Sequence, residues 1–149
     1  MMARGQQKGI HMYKTILMTL DCTATDRAII EHIKQLAKEM QSRVVLLHVA
    51  AGALAKYHGK NAAGKEVEES QAYLDRVRAE FVAAGIPADA ELAYGEPVKE
   101  IVRWIRQKKP DLVAMGTHGH HFVADLVLGT TAITVQHSVS VPVLLLRAR

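Results

Sequence analysis

The sequence predicts an α/β fold with an open, doubly wound parallel sheet and helices on both faces. Three observations carry this reading. Apolar runs recur at 13–21, 43–50, 111–116 and 141–147, and they are continuous rather than alternating, as in strands buried on both faces. Stretches with apolar residues at helical spacing separate them. Strands and helices alternate along the whole chain with no repeat and no linker, which is the pattern of right-handed β-α-β crossovers.

The elements follow in order. "YKTILMTLD" (13–21) reads as a buried strand ending in Asp21. "TDRAIIEHIKQLAKEMQ" places Ile29, Ile33, Leu36, Ala37 and Met40 on one helical face, with Thr25 as the expected N-cap and Asp26 in the first turn. "RVVLLHVA" (43–50) is a second buried strand. "AGALAKYHGKNAAG" (51–64) is small and aperiodic and reads as a loop. Helical spacing returns at Val67, Leu74, Val77, Phe81 and Ala84, and "GIP" at 85–87 stops it. "ADAELAYG" (88–95) alternates weakly and reads as a strand. In "EPVKEIVRWIRQKKP", Pro97 suits an early helical position and Val98, Ile101, Val102 and Ile105 form the apolar face, with Trp104 at its margin. "DLVAMG" (111–116) is a strand, a short helix is expected around 130–138, and "VPVLLLR" (141–147) is the last strand.

Composition limits the function classes. The chain has 149 residues, 49% apolar and 23% charged, which suits one globular domain. No apolar run approaches the ~18 residues of a membrane span. The polar start, 1–11, is expected to be a disordered extension or an artificial leader, with the domain spanning 12–149. Cys22 is the single cysteine, so no internal disulfide can form, and a cytoplasmic location is expected. The net charge of +4 is scattered apart from "RQKKP" at 106–110, where cations suit a helix end. That distribution argues against a nucleic-acid surface.

Ligands of such sheets sit beyond the carboxyl ends of the strands, where the winding reverses. Leu20-Asp21-Cys22, Val49-Ala50 and Met115-Gly116-Thr117 meet there if the first and fourth strands are neighbours. The turn "DCTATD" has no glycine, and neither GxGxxG nor GxxxxGK[ST] occurs. What does occur is Gly116-x-x-Gly119, nine residues, then Gly129-Thr130-Thr131. Two readings fit these residues. One is a phosphate cradle of bare N–H groups at a helix start. The other is a glycine-permitted turn with an ordinary threonine cap.

The spacing G-2x-G-9x-G-[S/T] resembles the nucleotide-binding signature of the universal stress protein family. "YKTILMTLD", "VVLLHV", "YGEPVKEIV", "DLVAMGTHG" and "SVSVPVLLLR" resemble that family's other landmarks. The resemblance implies an adenine nucleotide alpha hydrolase-like fold with strand order 3-2-1-4-5. It also implies ATP as ligand, with AMP or ADP as alternates. Thr19, Asp21 and Val49 would then lie on the adenosine side, and Met115 and Gly116 near the ribose. His118, Gly119, Gly129, Thr130 and Thr131 would lie toward the phosphates. Mg²⁺ or Mn²⁺ would be bound through phosphate oxygens rather than by protein side chains. No Lys or Arg lies between 110 and 146 to neutralise a triphosphate, which agrees with a metal held by the phosphates. The resemblance further implies a homodimer through the last strand, 141–147. The expected function is a nucleotide-binding regulatory module of the stress response. Alternatives are a slow ATPase or self-phosphorylating enzyme and a nucleotide-independent partner-binding protein. No catalytic residue is assigned.

Two departures from the family stand out. His120-His121 follow the second glycine where many relatives have Arg or Leu, and Thr19 replaces a common Pro. A histidine charges below about pH 6.5, so phosphate affinity is open to pH. His118, His120 and His121 with Asp125 also admit a metal-site reading, against which the absence of cysteine ligands weighs. His48 reads as a core or edge histidine. Cys22 reads as a small filler or a redox-sensitive thiol. Asp21 reads as an adenosine contact or turn cap, or as a general base.

Overall fold

A computed structural model describes residues 12–50, 59–117 and 130–147. The strands are β1 (Thr15–Thr19), β2 (Arg43–Ala50), β3 (Ala88–Tyr94), β4 (Leu112–Thr117) and β5 (Val143–Arg147). They form one five-stranded sheet in the order β3-β2-β1-β4-β5, with every pairing parallel. The helices are α1 (Asp26–Met40), α2 (Gly59–Ala83), α3 (Pro97–Lys108) and α4 (Thr130–Ser138). Both the fold class and the strand order agree with the sequence reading.

Side-chain alternation along the strands divides the core in two. Ile16 and Met18 of β1 pack with Ile29, Ile30 and Ile33 of α1 and Leu74, Val77 and Phe81 of α2. Leu17 of the same strand packs with Ile101, Val102 and Ile105 of α3 and with Ala132 and Val135 of α4. Thus α1 and α2 cover one face, and α3 and α4 the other. Each fully buried aliphatic side chain contributes about 1.5–3 kcal/mol, so the strand ends are held on a rigid base. The winding reverses between β1 and β4, which pair through Ile16–Leu112, Leu17–Val113 and Met18–Ala114. Beyond β1, the Leu20 N–H still donates to Leu47 O at 2.8 Å, so the backbone stays in register up to Asp21.

The helix α3 starts as the sequence suggests. Pro97 occupies the first turn, and the Glu96 carboxylate accepts from the N–H groups of Val98 (3.1 Å) and Lys99 (3.0 Å). The preceding Gly95 has φ +135, and a Cβ there would lie 3.2 Å from Glu100 Cγ. The turn therefore requires glycine.

Two expectations are corrected. The stretch 51–64 does not remain loop throughout, because α2 begins at Gly59; residues 51–58 lie outside the described residues. Apolar periodicity starts only at Val67, and a helix nucleated by a packed segment extends backwards past the point where that signal begins. Thr25 precedes α1 in α-helical geometry (φ −65, ψ −21) and its side chain makes no capping bond. Asp26 takes that part, as described below. Among the described residues, no helix is long and apolar enough to cross a membrane.

Candidate functional site

The carboxyl ends of β1, β2 and β4 open into a cleft of about 290 Å³. Thr19, Leu20 and Asp21 line it from β1, Leu47, His48 and Val49 from β2, and Met115 and Gly116 from β4. Pro97 and Ile101 of α3 and Thr130, Thr131 and Ala132 of α4 close the side. Leu47, Ile101 and Ala132 are buried and give the cleft an apolar floor. Thr19, Asp21, His48, Thr130 and Thr131 give it a polar rim. Such a lining suits a small molecule with one flat apolar part and one polar part.

Thr19, Asp21, Val49, Met115, Gly116, Thr130 and Thr131 were singled out from the sequence, and the fold brings all of them to this one cleft. His118, Gly119 and Gly129 lie outside the described residues, as do His120, His121 and Asp125. Among the described residues, no group of three or more His, Cys, Asp or Glu could hold a metal. No Lys or Arg is among the described residues lining the cleft.

Sequence reasoning missed Leu47, His48, Pro97, Ile101 and Ala132 as lining residues, whereas Leu20 was expected at this edge. His48 is half-buried, and its Nδ1 lies 2.7 Å from Leu20 O. The carbonyl can only accept, so Nδ1–H donates and ties β2 to the end of β1. Its place beside Val49 was the available signal. Pro97 and Ile101 carried no such signal, because only the packing of α3 across the sheet brings them there.

Gly116 is not demanded by protein packing among the described residues. A Cβ built there would meet only Leu146 O at 3.9 Å, an ordinary contact. Its lack of a side chain leaves room in the cleft instead.

The turn after β1 has its own anion. Asp26 is 5% exposed. Its Oδ1 accepts from Asp21 N–H at 3.0 Å, and its Oδ2 from Cys22 N–H at 2.8 Å and Thr23 N–H at 3.3 Å. Tyr73 of α2 donates its hydroxyl to Oδ2 at 2.9 Å. Consecutive amides facing one carboxylate form an anion nest, which holds Cys22 at φ 61 without glycine. Burial, followed by the Asp26 charge, pushes the Cys22 thiol up to about 12, and Asp21 adds to this while a hydrogen bond with Ser70 opposes it. A thiol held protonated is a poor nucleophile, so the filler reading of Cys22 fits better than the redox one. Burial, with Asp26 as both charge and acceptor, also raises the Tyr73 hydroxyl above its usual range.

Helix starts differ in the same respect. The helix α1 begins on Asp26 and α3 on the Glu96 cap. The helix α4 begins at the cleft with Thr130-Thr131 and has no acidic residue in its first turn. Its positive dipole end therefore meets no carboxylate from that turn.

Comparison with known proteins agrees on one group. A model described as "Universal stress protein family" matches residues 12–147. The chain is 28% identical to universal stress protein MJ0531 of Methanocaldococcus jannaschii, covering 95% of this chain and 86% of that one. It is 31% identical to a universal stress protein of Thermus aquaticus, covering 91% and 100%. Among solved structures, MJ0577 of Methanocaldococcus jannaschii superposes with a TM-score of 0.81 at 26% identity, over 93% of this chain and 98% of that one. A universal stress protein solved in complex with cAMP gives 0.67 at 20% identity, over 92% and 98%. One from Archaeoglobus fulgidus in complex with dAMP gives 0.67 at 16% identity, over 90% and 98%.

Proposed function

The chain belongs to the universal stress protein family, and from that premise we propose that its cleft binds an adenine nucleotide, with ATP the preferred ligand. The observation that carries this reading is the start of α4. A helix N-terminus bearing two hydroxyls, Thr130 and Thr131, opens onto the cleft without an acidic residue in its first turn, which is a ready anion site. The adenine would rest on the apolar floor beside Val49, with Thr19 and Asp21 on the adenosine side. Met115 and Gly116 would face the ribose, and the room left at Gly116 supports close approach. His118, Gly119, Gly129, Thr130 and Thr131 would hold the phosphates. Mg²⁺ or Mn²⁺ would ride on the phosphate oxygens and neutralise them, in keeping with a described lining without Lys or Arg. The complexes of two fold relatives with cAMP and dAMP support an adenine nucleotide as the ligand class.

The module acts by binding, as a cytoplasmic regulator of the stress response. Its β5 edge supports self-association: Val143, Leu144, Leu145 and Leu146 are apolar and only half-buried, and an unpaired apolar edge favours pairing with a second copy. Titration calorimetry with Mg²⁺–ATP, AMP and cAMP tests the ligand. Binding at sub-millimolar nucleotide, weakened in Gly116→Val and Thr130→Ala, is expected. Absence of heat for all three nucleotides sinks the reading. Sedimentation should give a dimer at micromolar protein, and a monomer would count against pairing through 141–147.

A further inference from the structure

We propose that Asp26 is a positioning residue for the nucleotide cleft, and that Tyr73 couples helix α2 to it. Asp26 does not line the cleft, and neither does Tyr73. Asp26 instead grips the backbone of the segment that does. The three amides it accepts belong to Asp21, Cys22 and Thr23, and Asp21 is itself a lining residue.

Several facts make this more than a helix cap. The carboxylate bonds backward, to the residues leaving β1, rather than forward into α1. One residue at the centre of the turn, Cys22, sits in the left-handed region at φ 61, which is strained for a non-glycine residue. The carboxylate bonds hold the turn against that strain. A short glycine-free turn can therefore leave the sheet edge with Asp21 in one fixed direction. Tyr73 comes from a helix 47 positions away in sequence and bonds both Asp26 Oδ2 and, at 3.3 Å, Thr23 O. Movement of α2 is therefore transmitted to the turn through the Tyr73 hydroxyl, beside the hydrogen bond between Ser70 and Cys22.

The grip also assigns anions to places. Because the amides after β1 already hold a carboxylate, that nest is closed to phosphate. A phosphate group entering the cleft is directed to the α4 end. Asp26 thus contributes both the direction of Asp21 and the orientation of the ligand, and this second part rests on the nucleotide reading above.

The test uses the full chain with Asp26→Asn and Tyr73→Phe. Asp26→Asn keeps the shape but removes the charge and places donors against donors. Two readouts need no nucleotide. The amide protons of Asp21, Cys22 and Thr23 should lose their slow exchange, and Cys22 should react faster with a thiol reagent once the Asp26 charge is gone. The third readout is affinity for Mg²⁺–ATP and AMP, expected to fall about tenfold in Asp26→Asn and about threefold in Tyr73→Phe, as for lost bonds to a charged group. Circular dichroism should show the same helix and strand content in both variants. Wild-type affinity in both variants overturns the proposal. If the wild-type chain binds neither nucleotide, the functional reading fails, and the amide and thiol readouts decide separately. Altered signals then keep Asp26 as the residue that sets the turn, and unchanged signals remove it.

Discussion

The turn after β1 and the first turn of α4 border the same cleft, yet they treat charge in opposite ways. The first closes its amides on Asp26 and adds Tyr73 as a fourth donor. The second presents Thr130 and Thr131 with no acid in its first turn. One end of the site is satisfied from within the chain, and on the proposed function the other receives the ligand. On the proposed function the cleft has one stable wall, whose backbone N–H groups a carboxylate satisfies, and one receptive wall that carries no acid in its first turn.

The strongest way to break this contrast is to empty the satisfied wall. Asp26→Ala leaves buried donors without an acceptor and should cost about 2–3 kcal/mol, read by urea denaturation. A loss below about 0.5 kcal/mol, the range of a neutral surface change, would mean the nest is ornamental. Emptying the receptive wall should do the reverse. Thr130→Ala combined with Thr131→Ala should lower nucleotide affinity about tenfold while costing stability no more than about 1 kcal/mol, the scale of a lost threonine at a helix start. Equal losses of stability in the two experiments would erase the distinction.

A pH titration sharpens the contrast further. The Cys22 thiol rises from 9.0 to about 12 in the folded chain. Between those values the unfolded chain releases this proton and the folded chain keeps it. The folded state then binds more protons, so stability is unaffected below pH 9 and falls as pH rises toward 12. Tyr73 is shifted the same way from its ordinary 10.0 and adds to the fall at the alkaline end. Cys22→Ala should flatten the lower part of this decline in denaturation series run from pH 8 to 11. A decline that is just as steep in the variant would assign it elsewhere. The smallest effect is expected at Thr25. Its side chain caps nothing, so Thr25→Ala should change stability by less than about 0.5 kcal/mol, against the ~1 kcal/mol typical of a true cap. A larger loss in thermal unfolding would restore the capping role to threonine.

How far the site was legible depended on distance along the chain. β2 was readable because "RVVLLHVA" is one continuous apolar run, and it forms a strand over the same residues, Arg43–Ala50. Pro97 announced α3 through local backbone chemistry, and the structure added the Glu96 cap. Thr25 misled because it has the right residue type in the right place, whereas the bond that matters runs from Asp26 back to Asp21 and across to Tyr73. The start of α2 at Gly59 was hidden because the apolar period that marks this helix begins only at Val67. Ile101 was recognisable as core-like, but nothing in its neighbourhood said that it borders a cleft, whereas His48 stood beside Val49.

By itself the sequence determined what repeats or acts locally: the parallel α/β class, the order of elements, and Gly116, Thr130 and Thr131, which gather where the winding reverses. Periodicity and turn chemistry are short-range, so one chain suffices to read them. Only the tertiary structure decided that Asp26 fills the nest after β1. That choice depends on a carboxylate, three amides and a tyrosine from a distant helix meeting within hydrogen-bond reach, and such a meeting is a property of packing rather than of any short stretch of sequence.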